Sequence, residues 1–188
     1  MKKILAAVLA AVLCFGAACA AEPAAEIPDG TYEDASGISF VIPEGWNLLT
    51  EGETDISPIL MFSPGGWDSG VYLEYTPADV WEGLRGKLEA MGYTREMLGP
   101  ELMRNESFRS ILMPDLSEDT VLEEHNGILF AVDRIRNDDE ESGKTFYFTI
   151  ARTWINAYFL MFQLITVGEP DEYLPDFDAW LDSVSCAK

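Results

Sequence analysis

The segment from Ala157 to Thr166 constrains this chain most, because it is apolar on both of its faces. Side chains alternate along an extended strand, so Phe159 and Met161 point one way while Tyr158, Leu160, Phe162 and Leu164 point the other. Such a strand belongs in the middle of a sheet that is covered on both sides.

The remaining chain offers the neighbours and the cover. Ile38, Phe40 and Ile42 alternate onto one face of a strand that Pro43 and Gly45 end. Ile56 to Phe62 and Val71 to Tyr75 read as a hairpin with a long loop, Ser63 to Gly70. Val121 to Glu124 and Ile128 to Arg136 flank His125-Asn126-Gly127, whose Asn-Gly pair is a strong hairpin signal. A strand from Lys144 to Arg152 follows, and Asn156 turns the chain into the two-faced strand.

Helical spacing appears in three places. Thr76-Pro77-Ala78-Asp79 has the make-up of an N-cap, a proline at the first helical position and an acidic third residue. Val80, Trp81, Leu84, Leu88 and Met91 then form one stripe that Gly92 stops. Thr94 to Met113 keeps no single apolar face and reads as shorter pieces broken at Gly99-Pro100. Pro170 opens a closing helix with Leu174, Phe177, Leu181 and Val184 on one side, and Asp171 and Glu172 in its first turn. This order predicts an α+β fold, one antiparallel β-sheet flanked by helices.

Residues 1–20 have the layout of an export signal, with Lys2 and Lys3, an apolar run from Ile4 to Phe15, then small residues. Phe15-Gly16-Ala17-Ala18-Cys19 resembles a lipoprotein box, which makes Cys19 the lipidation site and the first mature residue. Ala18-Cys19-Ala20 also fits ordinary signal peptidase, which would release a secreted or periplasmic chain. The anchored form is the preferred reading. Residues 21–28 form an acidic tether, and residues 29–188 a single domain.

All 33 acidic residues follow the leader while two of the 12 basic ones lie inside it, so the mature chain carries a net charge of -23. Such a field repels phosphate backbones and anionic lipid heads, which argues against nucleic acid. Membrane contact would then come only through a lipid on Cys19. Cys186 is the one cysteine outside the leader, so no intramolecular disulfide can form unless an unlipidated Cys19 is retained, and without one the domain must rest on its apolar core.

Two stretches resemble a known family. Tyr32-Glu33-Asp34 with Gly37 to Trp46, and Phe177-Asp178-Ala179-Trp180-Leu181-Asp182-Ser183-Val184 after the apolar last strand, are similar to the ends of PsbP-like superfamily members, among them small bacterial lipoproteins. The resemblance implies a PsbP-like α/β/α sandwich and a non-enzymatic role as an accessory or partner-binding protein. No functional motif of that family matches residue by residue.

Candidate chemistry is sparse. His125, the only histidine, falls on a hairpin tip and reads as an exposed turn residue. Cys186 sits at the chain end without a nearby base and reads as an idle thiol. Asp138, Asp139, Glu140 and Glu141 could take a hard cation such as calcium, but lack the spacing of an EF-hand and read first as a solvated connection. Trp67 is either folded onto the core, the favoured reading, or offered to a partner. Carboxylate-dependent hydrolysis stays open as an alternative, since 33 acidic residues always contain pairs. The expected function is that of an exported or lipid-anchored envelope protein that binds a protein or small ligand without catalysis.

Overall fold

Alternating apolar residues become strands wherever a turn lets the chain reverse. The computed structural model describes residues 30–33, 37–53, 58–79, 81–113 and 116–186. The leader with Cys19, the tether 21–28, Ile56 and Val80 lie outside the described residues. In chain order come strands Thr31–Glu33 (β1), Ile38–Val41 (β2), Asn47–Glu53 (β3), Pro58–Ser63 (β4) and Val71–Asp79 (β5), then helix Trp81–Ala90 (α1). Short 3-10 turns at Arg95–Met97 and Pro100–Arg104 lead to helix Glu106–Leu112 (α2). Strands Val121–His125 (β6), Ile128–Asp139 (β7), Lys144–Ile155 (β8) and Tyr158–Val167 (β9) follow, then helix Leu174–Asp182 (α3) and Ser185–Cys186 (β10).

The fold is α+β. Its main sheet runs β3-β4-β5-β9-β8-β7-β6, antiparallel throughout, and the two-faced strand β9 is fourth of the seven. Leu160, Phe162 and Leu164 enter one core with Phe40, Leu73, Tyr75, Phe130 and Trp180. On the other face Phe159 packs with Trp81, Leu88, Met103, Phe108 and Trp154 beneath the helical turns, while Ile165 and Met161 join Phe148 and Ile150. The two-sided apolar pattern therefore has the two-sided burial it requires.

Turn chemistry accounts for the hairpins. Asn126 and Gly127 have φ of 48° and 80°, the left-handed pair that a two-residue hairpin turn needs. Asn156 and Ala157 make the same kind of turn between β8 and β9, with φ of 48° and 67°. Ala157 is thus a turn residue rather than the first residue of the strand. The pieces between Thr94 and Met113 break at Gly99 as expected, and Asn105 caps α2 by accepting a hydrogen bond from the Phe108 N–H at 3.1 Å.

Two expectations are corrected, and one strand, β3, appears that no sequence pattern announced. There are two sheets: β1-β2-β10 forms a small three-stranded sheet, which shares the first core with α3. Strand β3 carries no clean apolar alternation in Asn47-Leu48-Leu49-Thr50-Glu51, and its pairing with β4 is interrupted by a bulge between Leu48 and Thr50. An irregular edge strand leaves little periodic signal. Thr76-Pro77 does not start a helix but continues β5, with Pro77 opposite Leu160. Pro77 lies beyond the stretch Leu73–Tyr75 that β4 pairs with, so its missing N–H interrupts no ladder on that side. The cap is Asp79, whose Oδ1 accepts from the Trp81 N–H at 3.1 Å.

Among the described residues no helix is long and apolar enough to cross a membrane.

Candidate functional site

His125 is not an exposed turn residue. Its backbone is at the hairpin corner, yet the residue is only 9% exposed, because α3 lies across β6 and its ring packs edge-on to Phe130 at 5.7 Å. Its Nδ1 meets Asp182 Oδ1 at 3.0 Å, and its Nε2 lies 3.8 Å from Glu123 Oε2. Glu123 is gripped by both guanidinium nitrogens of Arg134, at 2.8 and 3.2 Å. Burial pushes the nearby Asp178 carboxyl above its ordinary value, with His125 opposing that shift. The imidazole therefore sits among Glu123, Asp178, Asp182 and Arg134 and ties the closing helix to the sheet.

The acidic run is local in its bonding. Thr145 and Arg136 hold the Asp138 carboxyl below the usual range, and Ser142 does the same for Asp139. Arg136 stands 3.0 Å from Asp138, so a cation is already provided by the chain. Glu140 and Glu141 are exposed. Cys186 is half-buried and accepts a hydrogen bond from Asn156 Nδ2 at 3.0 Å.

Trp67 belongs to none of the three cores and is 39% exposed, so the core reading fails. Its loop is nevertheless well braced. The Ser63 hydroxyl donates to Gly66 O at 3.0 Å and meets the Ser69 hydroxyl at 2.6 Å, while Ser69 both donates to and accepts from Val71. Gly70, with φ of 69°, lets the loop close against β9, since a Cβ there would meet the Val167 side chain at 3.2 Å. The Tyr72 hydroxyl donates to Trp67 O, and the two rings lie 6.4 Å apart. A loop held this firmly presents its indole at low conformational cost.

Trp67 and Tyr72 flank one end of a sheet face with an unusual composition. Register places Tyr72-Ile165-Phe148 in one cross-strand row, Glu74-Gln163-Ile150 in the next and Thr76-Met161-Arg152 in a third. Phe148, Ile150 and Ile165 form a third apolar cluster with Tyr72, Phe146 and Met161, while Ile135 and Val167 are exposed at 36% and 38%. Further along the same face Arg152 pairs with Asp133, which also accepts hydrogen bonds from Ser117 and Thr120. Glu74 and Gln163 share one cross-strand row with Ile150 of the apolar cluster and Asp133 of the ion pair. Burial pushes the Glu74 carboxyl above the usual carboxylate range, outweighing its hydrogen bond with Thr76.

That shift has a consequence for stability. A carboxyl raised in the folded state binds its proton more readily than the unfolded chain does, so Glu74 detracts from stability when ionised and ceases to do so as pH falls through its raised value. Glu74→Gln is expected to raise the melting temperature at neutral pH, with the gain shrinking in acid. A gain that stays constant between about pH 4 and pH 8 would contradict this.

Sequence reasoning missed both Glu74 and Gln163. Each sits at an alternating position of a strand it identified, and the signal was a polar residue on a face otherwise apolar. Their juxtaposition depends on β5 pairing with β9, which no local pattern reveals.

No family model matches the chain, and no curated protein does. Solved structures do. A crystallised protein from Bacteroides thetaiotaomicron VPI-5482 superposes over 85% of this chain with a TM-score of 0.56 and 12% identity. The likeness is one of fold. This chain spans 48% of that protein's length. Cyanobacterial PsbP from Synechocystis sp. PCC 6803 is also similar, over 84% of this chain and 91% of its own, with 15% identity and a TM-score of 0.39. No conclusion follows from so loose a superposition.

Proposed function

We propose that the chain is an exported accessory domain, anchored through Cys19 or released, that binds an envelope protein without catalysing a reaction. The observation that carries this reading is the braced, 39% exposed Trp67 beside Tyr72, on a sheet face that continues into Phe146, Val167 and Ile135. Rigid aromatic residues at the centre of a surface supply most of the binding energy in protein contacts. The partner's contact surface should be apolar at its centre and basic at its rim, because this chain carries a net charge of -21 and like-charged partners are repelled. A second copy of the same chain fits that charge poorly.

The non-catalytic part of the reading is supported by how His125 is used. Both of its ring nitrogens face carboxylates, so the only imidazole in the chain serves to hold α3.

Trp67→Ala should abolish capture of a specific partner from envelope extract, read by mass spectrometry, while changing the unfolding free energy by no more than a surface substitution does, about 0.5 kcal/mol. Equal capture by parent and variant sinks the reading. Intact mass of the mature chain tests the anchor, which adds a diacylglyceryl group to Cys19. An unmodified chain beginning at Ala21 would show release instead.

A further inference from the structure

We infer that the open edge of β7 at residues 134–138 takes an added β-strand, an extended segment of the partner protein bound through main-chain hydrogen bonds. The inference rests on the partner-binding role proposed above and gives it a mode of docking. Strand β7 has 12 residues, but β6 pairs only with residues 128–132, and among the described residues no other strand lies outside it. His125 and Ile128 flank a two-residue turn and so exchange both of their main-chain hydrogen bonds. By alternation Phe130 and Val132 also face β6, and Arg134, Arg136 and Asp138 aim their N–H and C=O groups the same way, beyond its end. The register between β7 and β8 runs unbroken over residues 131–139, so nothing resets that alternation.

This edge is unguarded, unlike the other end of the sheet. There β3 is blunted by the bulge between Leu48 and Thr50, whereas residues 134–138 contain neither bulge nor proline. Arginines at an edge can repel a second chain, but Arg134 is held by Glu123 and Arg136 by Asp138. Ile135 stands on the opposite face from them, 36% exposed and across the ladder from Phe148. It ends the row Tyr72-Ile165-Phe148, whose first member lies beside Trp67. An added strand carries that row one residue further, with an apolar side chain beside Ile135 and polar ones beside the arginines. The occupant is a partner and not a second copy, because two chains of net charge -21 repel each other.

Hydrogen exchange read by NMR tests the edge. In the free mature protein the amides of Ile135 and Asn137, which face β8, should be protected, and those of Arg134, Arg136 and Asp138 should exchange freely. The probe is the peptide acetyl-Lys-Thr-Val-Thr-Val-Thr-Lys-amide, whose lysines suit the acidic chain, beside a control with proline at its three central positions. The probe should saturate and protect the open amides, and the control should not, since it lacks the N–H groups to complete a ladder. Arg136→Pro removes a donor from the open edge and none from the bonds to β8. It should weaken the probe about tenfold, the loss expected for one hydrogen bond, while Ile135 and Asn137 stay protected. Arg136→Gln keeps the N–H and should lose far less. If Ile135 and Asn137 lose protection in Arg136→Pro, that variant has disrupted β7, and the comparison of probe with control decides alone. Protection of the open amides in the free protein overturns the inference, whether or not dimers form. So does a probe that fails to saturate, a control that binds equally, or an intact Arg136→Pro that binds as the parent does. The peptide assay needs no partner and partner capture needs no peptide, so the two proposals fail separately.

Discussion

Arg152→Leu is expected to destabilise the protein by about 3–5 kcal/mol, the cost of stripping one partner from a buried ion pair. The guanidinium and the Asp133 carboxylate it contacts are both buried, on the sheet face between the helical cover and the third apolar cluster. Removing Arg152 leaves Asp133 with only the hydroxyls of Ser117 and Thr120, and two neutral donors do not replace a cation in a medium of low polarity. For a domain of this size the melting temperature should fall on the order of 10 °C. The double variant Asp133→Leu with Arg152→Leu should recover much of the loss, because an apolar pair of similar volume has no charge to desolvate. A single variant that melts within about 1 °C of the parent would show that the pair contributes nothing.

Trp180→Ala should cost a similar amount, about 3–5 kcal/mol, by opening a cavity that the surrounding core cannot collapse to fill. Trp180 is fully buried, and its ring meets Phe40, Phe62 and Phe162 edge-on with centroids 5.3, 6.0 and 5.1 Å away. Those rings come from β2, β4 and β9, so this one indole joins α3 to both sheets. The indole N–H has no hydrogen-bond partner. Trp180→Phe removes that orphaned donor along with part of the volume and should therefore lose much less, under about 2 kcal/mol. Chemical denaturation of the two variants checks the order. If Trp180→Phe were as damaging as Trp180→Ala, packing volume would not be the cause.

Much of the fold is legible where a signal is local. The two-residue turns at Asn126-Gly127 and Asn156-Ala157 depend on residues that adopt positive φ, and the strands they join follow from alternation alone. Thr76-Pro77 misleads because a threonine before a proline suits a helix start as well as an unpaired strand end. Only the absence of β4 opposite Pro77 decides between them. Asn47–Glu53 stays hidden because a bulged edge strand need not alternate.

The candidate sites are less legible, for a reason of distance along the chain. His125 looks solvated until Asp182, 57 residues later, arrives on α3 and buries it. Trp67 resembles a core residue until β5 and β9 close the core without it.

The sequence by itself determined that a strand apolar on both faces must lie inside a covered sheet and that hairpins build that sheet, since both depend on residue type and spacing. Tertiary structure alone decided that β9 lies between β5 and β8, that Glu74 and Gln163 become neighbours, and that Arg152 and Asp133 are buried together. Pairing register between distant strands depends on the fit of whole faces against each other, and burial of a polar group depends on what packs over it from elsewhere in the chain.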